Sequence, residues 1–345
     1  MKVIHIESGL GNQMLSFCEY LAIKKMNPDD DCYIETIIYD LPECNEVVCQ
    51  WFGYELKNIF GIEAPNIKSL FSAAQWEQVM NDIRKSQFWL KNWNYPVHFC
   101  EAFNRAGLSI ENWRGDFEAP GSTYKTVLST PKYKRTFWFQ YLNFLRRKYL
   151  KKSHFHSASS PNLFIESEKN IFTGQQLSFK NNGSGIERID SEIREAFQFP
   201  AFTDARNQSE QQKIKSLESV AIHARRGDML GFNFDCYYGG YFKRCMKYIK
   251  STLSNPHFFI FCDPGSVEWA KQHGDVLGLD FKHDHVNYVD WNSGKDSWRD
   301  MQLMSVCKHQ VITRSSFGWW AAYLNNNPDK ITCSPDSYTI STHHF

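Results

Sequence analysis

Two adjacent arginines leave an apolar run in Ile222-His223-Ala224-Arg225-Arg226-Gly227-Asp228. Two guanidiniums at a strand end repel each other unless an anion lies between them, and the rigid donor fork of Arg suits phosphate. Gly227 permits a sharp turn, and Asp228 could orient His223 or an arginine. The plainer reading is a solvated Arg pair with Asp228 as its counter-ion. A second cluster, Thr313-Arg314-Ser315-Ser316-Phe317-Gly318-Trp319-Trp320, places hydroxyls where a helix begins. Free amides and the helix dipole favour an anion there, although serine is also a common cap. The third is the turn Gly9-Leu10-Gly11-Asn12-Gln13. It lacks the third glycine of a dinucleotide fingerprint and the Gly-Lys-Ser/Thr of a phosphate loop. It still allows close backbone approach, with Asn12 and Gln13 able to bond sugar hydroxyls.

The elements carrying these clusters are legible in the last 130 residues. Val220 to Ala224, His257 to Cys262, Val311 to Thr313 and Ile331 to Cys333 read as strands. Between them, Phe242, Cys245, Met246 and Ile249 repeat at helical spacing, as do Met301, Met304 and Cys307. Ser266 reads as a helix cap, and Phe317 to Leu324 as a further helix with Trp319 and Trp320 in the core. Strands alternating with helices predict a parallel doubly wound sheet, which binds ligands beyond the carboxyl ends of its strands. His223, Arg225, Arg226, Asp263 and Ser315 all fall at or just after predicted strand ends. At the amino end, Val3 to Ile6 reads as a strand and Met14 to Ala22 as a helix stopping near Asn27-Pro28. Residues 30 to 120 give no clear order. Polar stretches at 153–160, 180–185 and 204–212 suggest a boundary near 205, giving domains 1–205 and 206–345.

Composition narrows the partners. Lys plus Arg is 39 and Asp plus Glu 38, so no global basic field argues for nucleic acid. No run of about 18 apolar residues spans a membrane, and the amino end lacks the pattern of a secretory signal, which points to the cytoplasm. The ten cysteines show no CxxC pair and read as reduced. His283, Asp284 and His285 lack a metal-ligand pattern and read as a solvated loop. From Ala119 to Ile165 there is no acidic residue, while Lys132, Lys134, Arg135, Arg146, Arg147, Lys148, Lys151 and Lys152 flank an aromatic core. Residues 132–152 therefore suit peripheral contact with an anionic membrane face, a half-buried helix with a solvated basic face, or a basic lip for an anionic substrate.

Gly9-Leu10-Gly11-Asn12-Gln13-Met14, His223-Ala224-Arg225-Arg226-Gly227-Asp228 and Ser315-Ser316-Phe317-Gly318-Trp319-Trp320-Ala321-Ala322 together resemble the α-1,2-fucosyltransferases of glycosyltransferase family 11. The resemblance extends over almost the whole chain. It implies a GT-B-like α/β fold, two Rossmann-like domains facing across a cleft, with the carboxyl-terminal one binding the nucleotide sugar. It also implies inverting transfer of fucose from GDP-fucose to a galactose-terminated oligosaccharide or lipid-linked glycan, without a metal or other cofactor. Arg225 and Arg226 would then meet the charge developing on GDP, aided by Ser315 and Ser316. His223 and Asp300 would contact guanine, and Gly11 and Asn12 would lie near the donor and acceptor sugars. Asp228 and Asp235 are candidate bases. The family usually has Asn where Arg314 stands and Ser where Gly318 stands; Arg314 would either reach phosphate or point outward. Other linkages, other GDP-deoxysugars and a non-catalytic GDP-sugar-binding protein are the alternatives.

Overall fold

A computed structural model describes residues 1–46, 50–90, 94–113, 136–150, 163–174, 177 and 184–345. The chain divides into two compact units, Met1–Thr130 with Ser159–Gln198, and Pro131–Ala158 with Phe199–Phe345. The expected division at 205 falls at the first residue of helix Ala205–Ser216, which Asp204 caps through the Asn207 N–H at 2.8 Å.

The first unit is built on four parallel strands, β1 (Lys2–His5), β2 (Cys32–Glu35), β3 (Glu111–Asn112) and β4 (Ile171–Thr173), in the order β2-β1-β4-β3. Helix Leu10–Met26 follows β1 and ends at Asn27, whose side-chain amide donates to the Ile23 carbonyl at 2.8 Å. Pro28 then prevents a further turn. The apolar sides of helices Ala73–Ser86 and Tyr95–Arg105 pack against the sheet, with Val79, Ile83, Phe99, Phe103 and Phe172 in one cluster. Strand β4 lies next to β1 although some 165 residues separate them. Neither β2 nor β4 was anticipated, because each is short and its hydrophobic pairing partner is distant in sequence.

The second unit holds six parallel strands, β5 (Ser219–Ala224), β6 (His257–Cys262), β7 (His285–Val289), β8 (His309–Ile312), β9 (Thr332–Ser334) and β10 (His343–His344), in the order β10-β9-β8-β5-β6-β7. Chain order reverses between β5 and β8, which makes their carboxyl ends the switch point of the sheet. Strands β5, β6, β8 and β9 match the sequence expectation to within one or two residues. Strand β7 corrects it, because His285, read as loop, opens a strand paired with β6 and stacks on His257 at 4.3 Å. Helix Tyr241–Thr252 buries Phe242, Cys245, Met246 and Ile249, the four positions its spacing marked. Trp319 and Trp320 are buried as expected. The nine described cysteines are all free thiols. Two parallel-sheet α/β units are thus present, as a GT-B-like chain requires.

Candidate active site

At the end of β5, His223 is buried and its Nδ1 has no hydrogen-bond partner among the described residues. Burial, and then the Arg225 charge, lower its pKa to about 3, so the ring is neutral. The space it fills exists because residue 318 is glycine. A Cβ there would lie 2.3 Å from His223 Nδ1. Thr313, the residue after β8, meets His223 through its side-chain hydroxyl, which donates to the His223 carbonyl at 3.0 Å and accepts from the Arg225 N–H at 3.1 Å.

The two arginines are held differently. The Arg225 guanidinium pairs with Asp263, which follows β6. Asp263 also accepts from the Arg226 backbone N–H at 2.6 Å, and it packs under Gly227, whose φ is +27°. The Arg226 guanidinium instead lies 3.5 Å over the Trp269 ring and 5.1 Å from the Tyr237 centroid. Its Nη1 is buried without a hydrogen-bond partner among the described residues, and burial lowers its pKa. Stacking on two aromatic faces holds a cation in place while leaving N–H groups for an anion.

Ser315 caps helix Ser316–Leu324, accepting from the Phe317 N–H at 3.3 Å. Its hydroxyl proton and the first helical amides remain suited to phosphate oxygens. Ser316, partly buried, is the first helical residue. Asp300 lies in the first turn of helix Trp298–Ser305 and accepts from the Asn292 amide at 2.8 Å. Burial raises its pKa to about 7, with the Asn292 bond opposing. Burial, and after it the charges of Asp263 and Asp300, push up the Cys262 thiol at the end of β6. His223, Arg225, Arg226, Asp300, Ser315 and Ser316 therefore all lie in the second unit, five of them at the ends of β5 and β8. The backbone of Asp228 lies in the turn Gly227–Met229; its side chain lies outside the described residues.

Arg314 departs from both of its expected roles. It turns inward, bonding Asp235 through two nitrogens at 2.6 and 2.9 Å and Asp336 at 2.6 Å. Its N–H donates to Asn233 Oδ1 at 2.8 Å, and the Asn233 amide returns to the Arg314 carbonyl at 3.2 Å. Burial opposes its charge, but the two carboxylates hold its pKa above the ordinary value. Asp235, a candidate base on sequence grounds, is thereby committed to an ion pair.

Gly11 and Asn12 belong to the first unit, in the first turn of helix Leu10–Met26; Gly11 is buried and Asn12 exposed. The turn is fixed by contacts that the sequence did not announce. Gln13, fully buried, donates to the carbonyls of Ser8 and Gly53 at 3.0 and 2.8 Å and accepts from the Glu55 N–H at 2.9 Å. Tyr39 donates to the Ser8 carbonyl at 2.7 Å, and Ser8 is held at φ +66°. Trp51 covers Gly9 so closely that a Cβ would meet its ring at 2.7 Å. Behind the turn, His5 is buried between Glu35 on Nδ1 and Glu7 on Nε2, the latter at 3.0 Å. Burial disfavours its charge, but the two carboxylates prevail and raise its pKa to about 9.

A match to known families decides the classification. The Glycosyl transferase family 11 model covers residues 122–342, more than half of the chain. This chain belongs to glycosyl transferase family 11. The Escherichia coli alpha-1,2-colitosyltransferase is 32% identical over 127 residues, 35% of this chain and 41% of that protein. Human galactoside alpha-(1,2)-fucosyltransferase 1 is 27% identical over 110 residues, 30% of this chain and 28% of that protein. The family 11 chain thus spans about two-fifths or less of the length of these curated relatives. The solved fucosyltransferase NodZ from Bradyrhizobium aligns over 93% of this chain and 91% of that one, at a TM-score of 0.45 and 14% identity.

Proposed function

We propose that this protein transfers fucose from GDP-fucose to the 2-hydroxyl of a terminal galactose, with inversion at the anomeric carbon and without a metal. The observation that carries the reading is Arg226, a cation stacked on Trp269 with a buried N–H left over, at the switch point of the second sheet. When the sugar leaves, its bond electrons stay on the β-phosphate of GDP. Fixed donors must meet that charge as it appears. Arg226 and Arg225 supply positive charge, and Ser315, Ser316 and the helix behind them supply hydroxyl and amide donors. Asp300 suits the guanine N1–H and amino group as acceptor, and neutral His223 fits a base edge without competing for the phosphates. The α-1,2 linkage rests on the names of the relatives.

One relative is named an alpha-1,2-colitosyltransferase, which favours a second reading with the same linkage and a different deoxysugar. Acceptor-dependent GDP release tests both readings. Release from GDP-fucose that depends on a galactose-ended acceptor and survives EDTA supports the first. Faster release with a colitosyl donor would support the second. Tight GDP binding with no release from either donor would favour a non-catalytic sugar-nucleotide binder.

We further propose peripheral contact of a cytoplasmic protein with an anionic membrane surface. Helix Phe137–Leu150 packs Phe137, Tyr141 and Phe144 around Phe234 and leaves Trp138 and Leu142 exposed at 69% and 60%. An exposed aromatic–aliphatic strip with exposed Arg146 beyond it suits an interface. Lys132, Lys134, Arg135, Lys151 and Lys152 lie outside the described residues, as do the side chains of Arg147 and Lys148. No described helix is long and apolar enough to cross a membrane. Co-sedimentation with phosphatidylserine vesicles at low salt is expected, and Trp138→Ser with Leu142→Ser should abolish it.

A further inference from the structure

Asp300 is steered from behind by a pair of buried amides. Asn292, three residues after β7, donates through Nδ2 to Asp300 Oδ1 at 2.8 Å and to Asn207 Oδ1 at 3.1 Å. Its own Oδ1 accepts from Asn207 Nδ2 at 2.9 Å. Asn207, in the first turn of helix Ala205–Ser216, gives its second amide proton to Asp204 at 3.0 Å and accepts from Trp291 Nε1 at 3.0 Å. Both asparagines are buried, and all of these residues belong to the second unit. The two amides thus close on each other with every side-chain N–H used. That closure fixes the direction of Asn292. Turned over, it would set its oxygen against the Asp300 carboxylate and its amino group against that of Asn207. The other Asp300 oxygen, Oδ2, makes no hydrogen bond among the described residues. The titratable groups that bear on Asp300 are Asp290, just after β7, and Cys262, at the end of β6. The carboxylate therefore stands at the carboxyl edge of the sheet, where ligands of such sheets bind. Held by one oxygen, it keeps Oδ2 and a second lone pair of Oδ1 for a ligand with neighbouring donors. The N1–H and 2-amino group of guanine are such a pair, whereas adenine offers an acceptor at N1.

We infer that Asn292, locked by Asn207, is the positioning residue that aims the Asp300 carboxylate at the base of the donor and so sets the preference for guanine. The inference rests on the proposed GDP-sugar donor and on Asp300 as its guanine acceptor. Asn292 acts through Asp300 in two ways. It fixes the rotation of the carboxylate, and its N–H favours the ionised form against burial and the Asp290 charge, which together bring the pKa to about 7. Ionised Asp300 accepts from both guanine donors, whereas the protonated form carries a hydrogen on one of the oxygens that must accept.

The test is calorimetric titration of wild type, Asn292→Ala and Asn207→Ala with GDP, inosine diphosphate, ADP and pyrophosphate between pH 6 and 8. Inosine diphosphate keeps N1–H and lacks the 2-amino group, and pyrophosphate carries no base. Wild type should prefer GDP to inosine diphosphate by about tenfold or more at pH 8, the worth of one hydrogen bond to a charged group. In Asn292→Ala, GDP affinity should fall about tenfold and the preference should shrink to within about threefold, with pyrophosphate binding unchanged. Asn207→Ala frees the Asn292 amide to turn and should move the same quantities in the same direction by less. Wild-type GDP affinity should fall as pH drops through about 7, and the fall should begin at higher pH in Asn292→Ala, which lacks the donor that opposes burial. The GDP phosphate titrates in both proteins alike and leaves the comparison intact. A folded Asn292→Ala protein that keeps both the preference and the wild-type pH dependence would overturn the inference while leaving the donor reading in place. So would one that loses pyrophosphate affinity as much as GDP affinity, which a general disruption of the unit would cause. Should Asn292→Ala fail to fold, an Asn207→Ala protein indistinguishable from wild type in both readouts would overturn it as well. A wild type that binds GDP no better than ADP would defeat the donor reading and this inference together.

Discussion

Replacing Gly318 by alanine sets two physical effects against each other. Gly318 lies inside helix Ser316–Leu324, where alanine is favoured over glycine by roughly 1 kcal/mol on propensity alone. The new methyl, however, would lie 2.3 Å from His223 Nδ1, 2.9 Å from Cγ and 3.1 Å from Cε1. Non-bonded carbon and nitrogen atoms settle at about 3.5 Å, so ring or helix must yield by about 1 Å. His223 is buried beside Phe317, and forced repacking of this kind costs roughly 1–3 kcal/mol. The net expectation is a loss of about 0–2 kcal/mol in stability, with GDP affinity lowered about tenfold because the ring is displaced. Chemical denaturation and calorimetric GDP titration read both. In a His223→Ala background the obstacle is gone, and Gly318→Ala should become neutral or stabilising. The double-mutant cycle should therefore show a coupling of about 2 kcal/mol. A Gly318→Ala protein that is more stable than wild type and binds GDP equally well would refute this account of residue 318.

Three further perturbations address other parts of the molecule. Arg226→Lys keeps the charge but loses the flat contact with Trp269 and the donor fork; GDP affinity by calorimetry should fall about 10–100-fold, with guanosine affinity much less affected. Arg314→Asn should destabilise the protein by about 2 kcal/mol at pH 7, less than for a fully buried pair because Asp235 and Asp336 keep contact with water. Chemical denaturation of the variant beside wild type at pH 7 reads the loss. His5 has a folded pKa raised above 6.5, so its contribution is complete below pH 6.5 and is lost as pH rises through about 9. Between pH 6.5 and 10 stability should decline by up to about 3 kcal/mol, and His5→Gln should flatten the decline; an equally steep decline in the variant would contradict it.

The second unit was legible because its chemistry and its core share a pattern. The strands Ser219–Ala224 and His257–Cys262 are continuous apolar runs, and the polar residues that break them at Arg225 and Asp263 are the ones that converge. Arg314 was misread because a lone arginine after a strand gives no hint of inward direction. Its partners Asp235 and Asp336 lie 79 and 22 residues away and meet it only through tertiary packing. The first unit was mostly hidden for a related reason. Strands of two to four residues carry too little periodicity to be distinguished from loops, and β4 finds β1 only across some 165 residues. Gln13, expected to bond sugar hydroxyls, is instead fully buried with its amide committed to Ser8, Gly53 and Glu55, because a glutamine in a first turn gives no hint of inward direction until the fold buries it.

The most direct test of the central claim is the identity of the product. The full chain would be incubated with GDP-fucose and a lactose-type β-galactoside, with EDTA present, and the purified glycan examined by nuclear magnetic resonance. The account predicts stoichiometric GDP and a single fucose in α linkage to the 2-position of the terminal galactose, with the yield falling sharply in Arg226→Ala. Fucose at another position, retained β configuration, or hydrolysis of the donor without transfer would contradict it.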